Sequence, residues 1–197
     1  MVIMPIIFIV LETVSEACYL RSGWFDALYS VERIIMAVFL VVLAISYIKH
    51  DKNVMKGMIG AVLATTFFSD LPYVFDMFES REYYFETIGG IWTVYEIMEI
   101  LIIAAYVLIF VTHFLINSEH KSNPGKILFN QIVLMLVPLF YIIQVIVSII
   151  IGRNAMFLAG KICNFLANVC ILNMVVCIES KLDAYRIARE ANGWTEK

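Results

Sequence analysis

Residues 89–115 read GGIWTVYEIMEILIIAAYVLIFVTHFL, a run long and apolar enough to cross a bilayer that still carries Glu96 and Glu99 near its middle and His113 near its end. Trp92, Glu99, Tyr106 and His113 recur every seven residues. Seven residues turn an α-helix by about 700°, so these side chains fall in one stripe, with Glu96 beside it. A charge at the centre of a spanning helix costs roughly 2.5 to 3.5 kcal/mol on insertion scales. Two acids in one span need partners on neighbouring helices, and this helix is therefore expected to line a polar interior.

The rest of the chain supplies those neighbours. Of its 197 residues 62% are hydrophobic and 16% charged, and the mean hydropathy is +0.87. Such a composition belongs to an all-α, polytopic membrane helix bundle in one domain, in contact with the lipid bilayer and placed in the cell membrane. The net charge of −3, with no basic patch interleaved with aromatics, excludes nucleic acid as a partner. Cys18, Cys163, Cys170 and Cys177 lie in or beside apolar segments and form no CxxC pair, so they point neither to a disulfide framework nor to a zinc knuckle. Residues 2–11 lack the basic flank and small-residue cleavage site of a signal peptide and are read as part of a retained first helix.

Apolar runs at about 2–20, 30–48, 54–75, 89–115, 127–151 and 155–178 predict six spans, or five if the first, with Pro5, Glu12 and Glu16 in it, does not cross. Segments 21–29 and 76–86 read as connections, the second acidic and aromatic with Tyr83 and Tyr84, and 152–154 reads as a tight turn. Residues 1–178 thus form the transmembrane bundle, and 179–197, opening with ESKLDAYRIAREA, a charged helical cytoplasmic tail. Lys49, Lys52, Lys56, Lys121, Lys126, Lys181, Arg186, Arg189 and Lys197 fall on one side, against Arg21, Arg33, Arg81 and Arg153 on the other. The positive-inside rule makes the first side cytoplasmic and puts both termini there.

On this topology Glu96 and Glu99 lie about 12 and 16 Å from the outer end of their helix and Lys161 about 9 Å from the outer end of the last span, at 1.5 Å per residue. Asp70 and Tyr73 share a stripe in the third span, and Lys161, Asn164 and Asn168 are spaced by three and four in the last. The candidate ligand-binding site is an outward-facing acidic pocket of Asp70, Glu96 and Glu99 around Lys161, walled by Tyr73, Trp92, Tyr95, Asn164 and Asn168. A structural ion-pair network in an apolar bundle is the competing reading. Gln144 is the central polar group of the fifth span, and His113 reads as a helix-end residue that favours the C-terminal dipole.

No catalytic motif is present: there is neither HExxH nor GxSxG, and His50, His113 and His120 are the only histidines. The carboxylates lack histidines at matching depth, and the last-span cysteines stand about 10.5 Å apart along their helix, so neither a metal nor another cofactor is expected. Lys161 alone does not make a microbial rhodopsin, because the residue one turn before it is Phe157, where that family has an acid.

TTFFSDLPYVFD (65–76), the Tyr-rich segment after it, and a last span that flows into ESKLDAYRIAREA (179–191) resemble the multi-span sensor modules that precede diguanylate cyclase or histidine kinase domains in bacteria. That resemblance implies sensing of a small molecule, a cation or the membrane's state, passed on through the last helix. The chain ends at Lys197 without an output domain, so the implied signal goes to a separate membrane or cytoplasmic protein. Six spans with an outer pocket are also similar to the substrate-binding subunits of energy-coupling-factor transporters, although a small-residue docking motif is missing from MPIIFIVLETVSEACYL. An accessory subunit of a membrane complex is the third reading.

Overall fold

The computed structural model describes residues 3–19, 24–79, 86, 89–118 and 123–192, without the side chains of 16, 19, 24–29, 69–79, 117 and 118. Helices α1 (Met4–Tyr19), α2 (Trp24–Lys49), α3 (Lys52–Glu79), α4 (Gly90–Ser118), α5 (Pro124–Ile150) and α6 (Ala155–Ala191) follow one another, and among the described residues there is no strand. Four stretches are long and apolar enough to cross a membrane: Ser30–Lys49, Gly90–Ile116, Pro124–Ile150 and Ala155–Ala191. They mark a membrane protein. The apolar stretch of α1, Met4–Ser15, is shorter.

Local chemistry sets the helix ends. Asn154 caps α6 by accepting a hydrogen bond from the Phe157 amide at 2.8 Å, as Ser, Thr, Asp and Asn caps generally do. Asn123 does the same for Lys126 at the start of α5, where Pro124 supplies a preset φ. Between α5 and α6 the chain reverses at Gly152 with φ +74°, a conformation that glycine alone adopts without strain. Two helices are longer than the apolar runs suggest. α2 begins at Trp24 and α3 continues to Glu79, because neither 24–29 nor 73–79 contains the Gly or Pro that would stop a helix. Tyr83 and Tyr84 lie outside the described residues.

α6 is the axis of the bundle: α1 packs along it most extensively, and α5 and part of α3 lean on other faces. α4 packs on α5 and α3, α2 on α3, and α1 more lightly on α2. At Gly60 the α3 backbone comes so near α4 that an added Cβ would stand 3.2 Å from the Phe114 ring. The core joins Leu40 and Leu43 of α2, Ile59 and Leu63 of α3, Ile109 of α4 and Ile178 of α6. Outward faces carry residues such as Ile34, Met135 and Ile150, apolar surface suited to a lipid bilayer. Leu40→Ala, at a fully buried position, should lose about 2 to 5 kcal/mol, and Met135→Ala, 77% exposed, no more than about 0.5 kcal/mol; thermal unfolding in detergent compares them.

Candidate functional site

The seven-residue stripe of α4 meets α6 in a ladder. Lys161 Nζ donates to Glu99 Oε1 at 3.1 Å, with both side chains buried. One heptad on, Tyr106 Oη donates to Asn168 Oδ1 at 2.8 Å. Both rungs join residues 62 apart in sequence, so α4 and α6 run parallel and in register. Their backbones do not pack closely against each other. Long polar side chains bridge the middle of the bundle instead, and each rung stands about 10.5 Å from the next.

At the end carrying Arg153, Trp92 stacks on Tyr95, with ring centres 5.1 Å apart. Arg153 lies over the Trp92 ring at 5.8 Å, and Lys161 over the Tyr95 ring at 4.8 Å, cation–π contacts that gain strength when water is excluded. Glu96 is buried in the same layer, only 4% exposed. Counting along the helices puts Glu99 about 16 Å and Lys161 about 9 Å from the outer end, near enough to meet, and the structure joins them in one ion pair. Asn164 and Asn168 bond each other, Nδ2 of Asn168 donating to the Asn164 Oδ1 at 2.6 Å and to its carbonyl at 2.9 Å. They continue the ladder below Lys161. Asp70 and Tyr73 belong to α3, and their side chains lie outside those described.

Gln144 joins this layer from α5. It is 0% exposed, and neither its Oε1 nor its Nε2 has a hydrogen-bond partner among the described residues. Its neighbours on the buried face of α5 set its height: Tyr141 meets Phe165 of α6, one turn beyond Lys161, and Val147 packs with Trp92 and Tyr95 of α4. A buried carboxamide left unpaired costs about 1 to 3 kcal/mol. The sequence marks Gln144 as polar in an apolar span, yet nothing in the spacing links it to Lys161.

The opposite end holds a second cluster. Glu179 accepts from Asn130 Nδ2 at 2.7 Å and pairs with His113 Nδ1 at 2.9 Å. His113 Nε2 donates to the Lys56 carbonyl at 3.2 Å, and Thr112 Oγ1 donates to Asn130 Oδ1 at 2.8 Å. The dipole reading of His113 therefore gives way to a buried partner from another helix, and Glu179 lies inside the bundle rather than in a solvated tail. Their separation of 66 residues hides the pair from any local pattern.

Beyond this cluster α6 is fastened to the last turns of two other helices. Lys181 donates to the Tyr47 carbonyl of α2, and Arg186 to the Ile116 carbonyl of α4 at 2.8 Å. Cations there satisfy carbonyls left over at helix C-termini and complement the dipole.

Glu12 is buried and ion-paired with Arg33 of α2 at 2.6 Å. A cavity of about 560 Å³ opens there, between α1 and α2. Among the described residues no group of three or more His, Cys, Asp or Glu is placed to hold a metal ion. The chain matches no protein-family model, no curated protein and no solved structure, so its chemistry is read from these side chains alone.

Proposed function

We propose that this chain is a multi-pass sensing module of the cell membrane, with six spans and both termini in the cytoplasm. A small polar molecule or a cation enters the outer layer around Glu96, Glu99, Lys161 and Gln144, with Asp70 and Tyr73 contributed by α3. The last helix passes the change to a separate protein at the cytoplasmic side. The observation that carries this reading is the continuity of α6: one unbroken helix holds Lys161 at one end and Glu179, Lys181 and Arg186 at the other. Its 37 residues span about 55 Å at 1.5 Å per residue, well beyond a hydrocarbon core of about 30 Å. Rotation or sliding provoked at Lys161 must therefore be felt by the tail. The orientation is supported by Lys49, Lys52, Lys56, Lys126 and Arg189, which share the Lys181 end, while Arg33 and Arg153 mark the other.

The test is a thermal-shift screen of the purified protein against amines, zwitterionic amino acids, carboxylates and monovalent cations. At least one compound should raise Tm, and the rise should vanish in Glu96→Gln while the variant without compound still folds. Hydrogen exchange over 181–192 should change with the same compound. If no compound shifts Tm, and Glu96→Gln and Glu99→Gln assemble but unfold more easily than the parent, the layer is a structural network, as in an accessory subunit. A stabilising compound that leaves exchange over 181–192 unchanged would favour a substrate-binding transport subunit.

A further inference from the structure

The groove between α1 and α2 has a polar mouth and an apolar floor. α1 and α2 are consecutive, antiparallel helices, so Glu12 and Thr13 near the end of α1 stand level with Ser30 and Arg33 near the start of α2. Deeper along the same groove the lining becomes Phe8, Ile9, Ala37, Val38, Val41 and Val42. Every polar lining residue thus lies toward one end, the end that also carries Arg153. From Ser30 to Val42 the groove follows α2 for about 18 Å at 1.5 Å per residue, close to the roughly 15 Å that one leaflet contributes to a hydrocarbon core of about 30 Å. Its flanks Ile9, Val38 and Val41 are exposed, so it opens sideways to the bilayer and not toward the bundle centre.

We propose that this groove binds one acyl chain of a zwitterionic phospholipid from the leaflet at the Arg153 end, with the headgroup seated on the Glu12–Arg33 pair. Charge complementarity selects the headgroup. The Arg33 guanidinium is planar and suited to phosphate, and its side chain keeps 16% of its surface accessible although Glu12 holds it at 2.6 Å. The carboxylate beside it disfavours a purely anionic headgroup and favours one that carries an ammonium next to its phosphate. Depth suits the chain, since below the polar mouth the apolar lining from Ile34 to Val42 runs about 12 Å at 1.5 Å per residue, most of the roughly 15 Å of one leaflet. The lipid then occupies space that the helices leave open: α1 is held mainly by α6, with Ser15 Oγ donating to the Gly160 carbonyl at 3.0 Å, and packs less extensively on α2. Gly160 precedes Lys161, so a chain wedged against α1 presses on the helix that carries the outer ion pair. The assignment stands on the groove alone and does not depend on the sensing role.

The test uses the full chain in nanodiscs doped with a phosphatidylethanolamine bearing a diazirine in its acyl chain, with crosslinked peptides read by mass spectrometry. Label should concentrate on residues 4–19 and 30–49. Val41→Trp, which fills the floor and leaves the Glu12–Arg33 pair untouched, should cut it about tenfold or more, the factor that displacing even two methylenes is worth. Ala37→Phe, one turn nearer the mouth, should do the same. A diacylglycerol with the same diazirine chain should label these peptides severalfold less. The proposal is overturned if both filling variants keep the parent's label, or if label spreads evenly over the lipid-facing surfaces of α4 and α5. The headgroup assignment falls if the diacylglycerol, or an anionic phosphatidylglycerol probe, labels as well as phosphatidylethanolamine.

Discussion

Lys161→Met is expected to destabilise the bundle by about 3 to 5 kcal/mol, because it leaves the Glu99 carboxylate buried without its cation. The charge cannot escape to water, since Glu99 is only 5% exposed in the middle of α4. Methionine also removes the cation over Tyr95, a smaller loss of about 0.5 to 2 kcal/mol. Combining Lys161→Met with Glu99→Gln should restore most of the loss, because a neutral pair of similar volume no longer carries the desolvation penalty of a lone charge. The measurement is a double-mutant cycle of equilibrium unfolding in mixed micelles. A double variant as unstable as Lys161→Met alone would show that the two residues do not act as a pair.

Glu179→Leu is expected to cost about 3 kcal/mol or more. It withdraws the acceptor from Asn130 and from His113 together, leaving two buried polar side chains short of a partner. Glu179→Gln, which keeps one oxygen acceptor, should cost less than Glu179→Leu. Thr112→Val, which removes only the donor at the edge of the network, should cost about 1 kcal/mol. Equilibrium unfolding ranks the three, and amide exchange over 170–192 locates the effect. In Glu179→Leu the inner end of α6 should exchange faster while the turn around Lys161 stays protected. Uniform loss of protection along α6 would mean that the two clusters are one cooperative unit and not two independent fastenings.

Much of the helix order was legible because apolar runs of bilayer length are separated by Gly, Pro, Asn and charged residues at 49–53, 117–126 and 152–154. The early start of α2 was not, since Trp24 to Tyr29 has no strong helix preference although it contains no Gly or Pro to stop a helix. The site divided in the same way. Heptad spacing aligned Trp92, Glu99, Tyr106 and His113 on one face, and depth counting put Lys161 and Glu99 in the same outer part of the bundle without setting their register. Neither could tell Glu179, 66 residues from His113, from an ordinary tail glutamate.

By itself, the sequence determined that this is a membrane helix bundle, that α4 carries a polar stripe, and that its charges need partners. Those conclusions follow from hydropathy and the 3.6-residue period, which are local properties of one strand of chain. Tertiary structure decided which partners they have: Lys161 for Glu99, Asn168 for Tyr106, Glu179 for His113, and Arg33 for Glu12. Partnering depends on which helices stand across from one another and in what register, and that is set by packing over the whole bundle. The parallel alignment of α4 and α6 turned a stripe of unexplained polar residues into a ladder between two polar clusters.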